Sequence, residues 1–498
     1  MVNKKVKSVS RSPRENVCFD CDTYIKLQSE NIAKRIKKFD KLYLEFGGKL
    51  FDDLHAARVL PGFRPDVKTE MLAKLKDVAE VILCINAGDI EKSRMNSALG
   101  ISYETNILRE IDQLHKLGLS VAAVVITLFT GQPAAKKFAK QLNSRGIKTY
   151  FHTFTKGYPD NVAKIVSEEG FGQQPFIATT RPLVIVSAPG PNSGKLATCL
   201  SQLYHENKRG VRAGYAKYET FPIWNLPLEH PVNVAYEAAT TDIGDINEID
   251  NFHLAKYGIT SVNYNRDIAI FPVLKDILHK ITGENVYFSP TDMGVNTIAK
   301  CITDNAGVRE AAKREIVRRY LNALCDYKNG LIDFTAVERN KMLMKRVGVG
   351  VADRTVVTAA LAKKHAAKAE AVAIELSPKK IITGRDTEIM TGSAAAVINA
   401  IKFLAGIEDK IHLIAPINLK PMLRMKQEIF RESKLTLPDV LVALASVAAT
   451  NSAVDLALDQ LAKLRGLEAH STVMLPRAEM DALKKLELNI TCTDEFAS

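Results

Sequence analysis

The chain has 498 residues, a formal net charge of +12, and an ordinary globular balance of 46% hydrophobic and 25% charged residues. This length allows roughly two to four domains with sizeable buried cores. The longest apolar runs, Val121–Phe129 and Leu441–Ala449, are about half of the roughly 18 residues that a membrane-spanning helix needs. The composition therefore argues against a protein that crosses a membrane.

The first residues and the cysteines indicate the compartment. Residues 1–17 hold five basic residues against one acidic residue, with no apolar segment that would form the core of a signal peptide. We expect a disordered basic tail there. Seven cysteines, odd in number and scattered, do not look like a secreted disulfide framework, so the sequence predicts a cytoplasmic protein. There is no zinc-finger spacing and no aromatic-rich RNA-binding signature, so nucleic acid is not an expected partner.

Residues 18–305 are predicted to form an N-terminal α/β domain. Short apolar runs alternate with amphipathic ones from Lys41 to Tyr218, which is typical of βα units on a mostly parallel, doubly wound sheet. Within residues 220–305, the segments Phe221–Pro231 and Ser289–Asn296 are expected to be long irregular connections, either functional or a solvated insertion. The predicted strands are Lys41–Leu44, Val81–Ile85, Ser120–Leu128, Ile147–Phe151, Leu183–Ser187 and Arg212–Ala216. The predicted helices are Thr69–Lys76, Tyr103–Lys116, Pro133–Ser144, Asp160–Glu168 and Gly194–Lys208.

The rest of the chain is predicted to hold a helical segment, residues 306–370, and a smaller C-terminal α/β domain, residues 371–498. Thr436, followed by Pro438, is a good start for a helix over Pro438–Ala449, because a hydroxyl can cap free amides. That helix, Pro438–Ala449, is apolar on nearly all sides, which predicts burial or an interface of a homo-oligomer. The predicted strands are Ala371–Leu376, Lys380–Thr383, Ile411–Ala415 and Ser471–Leu475.

The sharpest local signal is the run Leu183–Lys195, a buried-strand pattern followed by a small-residue loop and a helix. That order brings backbone amides and a helix N-terminus to one point, where phosphate can bind. An ordinary tight turn between strand and helix remains the alternative. The usual phosphate-loop spacing asks for Gly at Pro189 and for Ser or Thr at Leu196, so Ser193 or Thr198 would have to supply a magnesium-binding hydroxyl. The candidate phosphate-binding residues are Gly190, Asn192, Ser193, Gly194 and Lys195.

Two further residues extend this candidate site. Lys217 ends the next predicted strand, so it is expected to face the same anion as Lys195. This order of loop, strand and lysine is similar to that of dethiobiotin-synthetase-type P-loop enzymes. Asp242 lies in an acidic stretch and is the candidate catalytic carboxylate and magnesium ligand, with a solvated acidic loop as the alternative.

A second candidate anion site lies in the C-terminal part, where a predicted strand runs through a polar loop into an Ala-rich helix. Its candidate residues are Gly384, Arg385, Thr387 and Ser393. Arg385 is suited to a carboxylate or phosphate, and Ser393 is expected to cap the helix. Capping and loop closure alone would also explain these residue types.

Four unusual strings together resemble a known family: Phe19–Tyr24, Ala188–Cys199, Tyr215–Pro227 and Ser289–Asn296. The chain is similar over nearly its whole length to the domain-of-unknown-function 1846 family, also called uncharacterised protein family 0371. The resemblance implies a cytoplasmic protein of mainly bacterial type with N-terminal and C-terminal domains. It implies no catalytic residues.

Three functions remain open from the sequence, and whether the chain is an enzyme is one of the open points. The first is a transferase or ligase that uses ATP or another nucleotide with Mg²⁺. The second is a non-catalytic, oligomeric protein that binds a nucleotide or metabolite. The third is a nucleotide-independent hydrolase of a phosphorylated small molecule.

Overall fold

The computed structural model describes residues 17–96 and 100–495. Apart from its last residue, the predicted basic tail lies outside the described residues. The described chain divides into two compact units, residues 17–312 and residues 313–495. Within the described ranges, every helix is too short or too polar to cross a membrane.

The first unit alternates strands and helices along most of its length. The strands are β1 (Lys41–Phe46), β2 (Ala79–Asn86), β3 (Met95–Asn96), β4 (Ile101–Ser102), β5 (Ser120–Thr127), β6 (Thr149–Phe151), β7 (Leu183–Ser187), β8 (Ala213–Tyr218), β9 (Asn247–Ile249), β10 (Val262–Tyr264) and β11 (Gly294–Val295). The helices are α1 (Cys21–Ile36), α2 (Leu54–Val59), α3 (Val67–Lys74), α4 (Ala87–Glu91), α5 (Tyr103–Lys116), α6 (Pro133–Ser144), α7 (Val162–Ile165), α8 (Lys195–Lys208), α9 (Pro231–Ala239), α10 (Asn251–Tyr257), α11 (Asn265–Thr282) and α12 (Pro290–Met293).

Seven of these strands form one parallel sheet in the order β11-β8-β1-β7-β2-β5-β6. The central strand β7 is buried along its whole length, as expected for a parallel strand covered on both faces. The remaining strands form two small antiparallel pairs, β3 with β4 and β9 with β10.

Helices cover both faces of the parallel sheet. On one face, α8 and α11 pack through residues such as Leu203 and Phe271 against Tyr43 and Val184. Side chains alternate along a strand, so the neighbouring buried residues, such as Leu44, point to the other face, where α1 contacts β1 and α5 contacts β2 and β5. The predicted α/β fold with a doubly wound parallel sheet is confirmed.

Helix boundaries in this unit follow local capping signals. Helix α5 begins where the Ser102 hydroxyl accepts a hydrogen bond from the Thr105 amide, and α6 begins with Pro133 in its first turn. Both helices span the predicted residues. Helix α1 was missed by the sequence pattern, although Asp20 accepts hydrogen bonds from two amides of its first turn.

Two predictions for the first unit are wrong in part. The predicted helix Asp160–Glu168 is reduced to the four residues of α7. Of the two irregular connections expected after Tyr218, Phe221–His230 is irregular as predicted, whereas Ser289–Asn296 holds α12 and β11. The 18-residue helix α11, which lies between them, was not predicted. Pro272 lies inside α11, and such an internal proline weakens a helical pattern in the sequence.

The second unit is smaller and has a mixed sheet in the order β13-β12-β14-β15, in which only β14 and β15 are parallel. Helix α13 begins at the end of the first unit. The strands are β12 (Ala371–Ser377), β13 (Lys380–Arg385), β14 (Glu468–Ser471) and β15 (Asn489–Cys492). The helices are α13 (Asn305–Lys328), α14 (Phe334–Arg346), α15 (Thr355–Ala367), α16 (Gly392–Leu404), α17 (Pro416–Met425), α18 (Leu437–Ala448), α19 (Ser452–Leu458) and α20 (Arg477–Lys485).

A buried arginine links α15 to this mixed sheet. Arg354 precedes α15, is 2% exposed, and donates hydrogen bonds to Glu468 Oε2 and to the Asn489 carbonyl oxygen, both at 2.6 Å. Its guanidinium also contacts the Thr491 hydroxyl. On the same face, Val356 of α15 packs against the middle of β12.

Three predictions for the second unit need correction. The predicted strand Ile411–Ala415 is a loop before α17, and the predicted strand Ser471–Leu475 lies three residues too late, because β14 ends at Ser471. Helix α18 begins as predicted, with Thr436 and Asp439 in a capping box. It is not buried on all sides, because the Val442 side chain is 64% exposed.

Candidate functional site

The carboxyl edge of the parallel sheet is where the order of strands reverses. The chain leaves β2 toward β5 and β6, but it leaves the adjacent strand β7 toward β8 and β11. In open α/β sheets, ligands bind at the carboxyl ends of the strands at such a switch point. Residues 188–194, which we call the β7–α8 loop, lie at this point.

Backbone geometry and three hydrogen bonds fix the shape of the β7–α8 loop. Asn192 and Gly194 both have positive φ angles, of 54° and 77°. The Ser193 hydroxyl donates to the Gly190 carbonyl oxygen at 2.6 Å. From the ends of the neighbouring strands, the Thr127 hydroxyl donates to the Ser193 carbonyl oxygen at 2.8 Å, and an Asn86 amide donates to the Asn192 carbonyl oxygen. The loop is therefore anchored to β2 and β5.

A tyrosine packs directly against the loop at Gly190. A Cβ atom at this position would collide with the ring of Tyr103, the first residue of α5, so only glycine fits. The Arg94 guanidinium lies 5.5 Å from the centre of the Tyr103 ring and pairs with Asp89 at 3.3 Å. Asp242 is exposed and lies near this pair, where its charge helps to raise the pKa of Arg94. The predicted carboxylate thus lies beside cationic and aromatic groups.

The loop ends at an uncapped helix N-terminus. Gly194 is the N-cap residue of α8, and in the described part of the chain no side chain caps the first amides of this helix. The next residue, Lys195, is half-buried, and within the described ranges it makes no hydrogen bond or ion pair. Free amides and a positive charge thus lie together at the switch point, as a phosphate site requires.

The two hydroxyls considered as replacements for the usual magnesium ligand are both buried. The Ser193 hydroxyl donates to the Gly190 carbonyl oxygen, as described above. The Thr198 hydroxyl is buried, donates to the Gly194 carbonyl oxygen at 3.0 Å and accepts a long hydrogen bond from Cys84. Among the described residues, no three His, Cys, Asp or Glu side chains group closely enough to hold a metal ion. The role of Asp242 as a metal ligand stays a prediction.

Lys217, at the carboxyl end of β8, lies in a buried ionic network. Its ammonium lies 2.8 Å from Glu219 Oε1 and also pairs with Asp267 of α11 and contacts the Tyr264 hydroxyl. Burial alone would lower the pKa of Lys217, but Asp267, Glu219 and Glu45 together raise it well above its usual value. The lysine is therefore charged and already neutralised. Its predicted role toward an anion stays a prediction.

Arg266, the neighbour of Asp267 in α11, contacts the β7–α8 loop. It donates hydrogen bonds to Asn192 Oδ1 at 3.1 Å and to Asp245 Oδ2 at 3.0 Å. Asp245 is buried, and burial raises its pKa despite the arginine.

Arg266 and Asp267 were not predicted from the sequence, because both lie in the first turn of α11, which was not recognised as a helix. The signal was present, since Gly283 is a suitable C-cap for that helix.

A small cavity with a mixed lining lies on the other side of the loop. Its volume is about 20 Å³, and Ala188 and Pro189 of the loop form part of its wall. Burial raises the pKa of Glu110, which lines the cavity, to about 7. The remaining lining residues are Lys49, Phe51, Asp52, Leu54, Asn96, Asn106 and Arg109. This cavity was not predicted from the sequence.

The second candidate anion site, in the second unit, is arranged as a self-contained turn. Gly384 lies so close to the backbone of α16 that no Cβ atom fits, and the Thr387 hydroxyl closes a turn with Met390. Arg385 is exposed and donates to the neighbouring Asp386 carbonyl oxygen.

The N-terminus of α16 already has an acidic partner within the chain. Asp386 Oδ1 accepts a hydrogen bond from the Gly392 amide at 2.6 Å, and Lys434 pairs with its other oxygen. The N-cap residue is Thr391 and not Ser393, which is fully buried beside it. The proposed anion role of this loop stays a prediction.

These features define an open, doubly wound α/β protein with a charged carboxyl edge, followed by a smaller α/β unit. The chain belongs to the DUF1846 family. Residues 17–348 match the family model described as "Domain of unknown function DUF1846, N-terminal", and residues 352–498 match the C-terminal model of the same family. UPF0371 proteins of two Clostridium botulinum strains, Alaska E43 and Eklund 17B, are 50% identical to this chain over 491 residues, which cover 96% of this chain and 98% of each relative. A UPF0371 protein of Clostridium tetani is 49% identical over the same coverage. The resemblance seen in the sequence is confirmed.

Proposed function

We propose that this chain binds a small phosphorylated molecule at the carboxyl edge of its seven-stranded sheet. The phosphate group lies against the β7–α8 loop and the first amides of α8. Lys195 neutralises its charge. The observation that carries this proposal is that α8 begins without a side-chain cap beside a half-buried lysine that has no partner within the described ranges.

Position and electrostatics both support this assignment. The positive end of a helix dipole stabilises an anion by about 0.3 to 1 kcal/mol at an exposed site, and by more in partly buried geometries. An ammonium close to the same point adds a charge-assisted hydrogen bond. Lys217 cannot add an equal contribution, because Asp267 and Glu219 already neutralise it.

The hydroxyl contacts favour a ligand that binds without Mg²⁺. A magnesium-bound nucleotide needs a loop hydroxyl that the metal can reach. The Ser193 and Thr198 hydroxyls are both buried, and each donates to a carbonyl oxygen of the loop itself. The transferase or ligase hypothesis with ATP and Mg²⁺ therefore has weaker support than metal-independent binding of a phosphate ester. Cytoplasmic location and homo-oligomerisation stay predictions from the sequence.

Calorimetric titration of the full chain with inorganic phosphate and with sugar phosphates, with and without Mg²⁺, tests the proposal. We expect binding that Mg²⁺ does not strengthen, and a Lys195→Ala variant that raises the Kd at least tenfold, which corresponds to about 1.4 kcal/mol. Lys140→Ala is the matched control, because Lys140 is an exposed lysine of α6 in the same unit. It should bind like the wild type.

Two results would contradict the proposal. One is an absence of heat and of thermal stabilisation with every phosphorylated compound at 10 mM. The other is an equal loss of affinity in the Lys195 and Lys140 variants, which would show that only the net charge of the protein matters.

A further inference from the structure

The cavity beside the β7–α8 loop combines both signs of charge in a very small space. Lys49 and Arg109 line it together with Asp52 and Glu110. Arg109 also pairs directly with Asp52. With two basic and two acidic side chains, the lining favours neither a cation nor an anion. A neutral group that both donates and accepts hydrogen bonds fits such a lining best.

Glu110 has unused hydrogen-bonding capacity at this cavity. The residue is 5% exposed. One of its oxygens, Oε1, accepts a hydrogen bond from the Asn106 side chain at 2.8 Å, whereas the buried Oε2 has no partner among the described residues. Leaving a buried polar atom unpaired costs about 1 to 3 kcal/mol. Glu110 therefore favours a ligand group that pairs with Oε2.

The neighbours of Glu110 hold it in one position. The Asn106 side chain is fixed from both sides, because its oxygen also accepts a hydrogen bond from Arg109 at 3.4 Å. The charged groups that act on the Glu110 carboxyl are Arg109, Asp52 and Lys49. A carboxyl group held in this way is preorganised to recognise one ligand atom.

We propose that this cavity is the subsite for a hydroxyl group of the phosphorylated ligand, with Glu110 as the residue that recognises it. A volume of about 20 Å³ accommodates one water-sized group, such as a hydroxyl. The β7–α8 loop forms the wall of the cavity through Ala188 and Pro189 and carries the phosphate at its other end. The ligand is therefore a phosphate ester of a hydroxylated small molecule, of which sugar phosphates are the simplest class. This inference rests on the proposed phosphate site.

Titrations of the full chain with inorganic phosphate, glycerol 3-phosphate, ribose 5-phosphate and glucose 6-phosphate separate the two parts of the site. We expect at least one ester to bind ten times more tightly than inorganic phosphate. Glu110→Leu, which has no hydrogen-bonding group at this position, should remove this advantage and leave the Kd for inorganic phosphate unchanged. Asp112→Asn is the matched control, because Asp112 is an exposed acidic residue of the same helix. It should keep the advantage.

Each outcome has a distinct meaning. If inorganic phosphate binds but no ester binds more tightly, or if Glu110→Leu keeps the preference, the hydroxyl subsite is wrong and the phosphate site stands. If no compound binds to the wild type, the phosphate site and the subsite are both wrong. An equal loss of affinity for phosphate and esters in Glu110→Leu would also overturn the inference, because it would indicate a structural role.

Discussion

Replacement of Glu110 by Gln should remove a pH dependence of stability that the wild type carries. Burial raises the pKa of Glu110 from 4.5 to about 7 in the folded protein. The folded state therefore holds a proton that the unfolded chain releases, so its contribution to stability is fully present below pH 4.5 and is lost as the pH rises through 7. The difference between these two pKa values corresponds to roughly 3 kcal/mol, most of which is lost between pH 5 and pH 8.

The single tryptophan makes this measurement specific to the first unit. Trp224 is the only tryptophan of the chain, and it is 8% exposed within residues 17–312. Urea unfolding followed by its fluorescence, at pH 5 and at pH 8, gives the free energy of unfolding of that unit for the wild type and for Glu110→Gln. The variant should gain about 2 to 3 kcal/mol relative to the wild type on going from pH 5 to pH 8. Asp112→Asn should show no such gain.

A stability difference between the wild type and Glu110→Gln that is the same at both pH values would refute this reasoning. It would mean that Glu110 titrates near its ordinary pKa in the folded protein, as an exposed carboxyl does. The substitution keeps the size of the side chain, so a change in packing cannot imitate a pH-dependent effect.

Two further predictions concern buried charges. Lys217→Met should lower the free energy of unfolding of the first unit by about 3 to 5 kcal/mol, measured by Trp224 fluorescence, because Glu219 and Asp267 would lose their shared cation; an effect below 1 kcal/mol would contradict the ionic network. Arg354→Ala should destabilise the second unit by a similar amount, since Glu468 would lose its guanidinium partner. Amide exchange in β14 and β15 measures that loss, and unchanged protection there would show that Arg354 is dispensable.

The parallel sheet could be predicted from the sequence because its strands are short, continuous apolar runs. Leu183–Ser187 is predicted and observed with the same bounds, since a strand buried on both faces has no polar positions to blur its limits. The first residues of α11 could not be placed in the same way. Pro272 interrupts the helical pattern, and Arg266 and Asp267 acquire their partners only through contacts with distant residues.

The sequence contained a signal for two of the cavity residues, Asn106 and Glu110, that was not recognised. Asn106 and Glu110 lie one turn apart on the face of α5 that also carries the buried residues Ile107, Ile111 and Leu114. Two polar residues on an otherwise apolar helix face are a signal of a buried polar site. At Ser393 the sequence pattern was misleading, because the helix uses the hydroxyl of Thr391, two residues earlier, as its N-cap.

The position of β1 in the sheet has a consequence for how the protein must be made. This strand lies near the start of the chain, yet its two neighbours are β7 and β8, on the order of 140 to 170 residues later. During synthesis, the backbone groups of β1 cannot pair within this sheet, and its apolar side chains cannot be covered, until β7 and β8 have been made. Pairing over such long separations is slow, because a large loop must close first. A fragment that ends before Ala213 would lack β8 and leave one side of β1 unpaired, and the first unit therefore has to be expressed and studied as a whole.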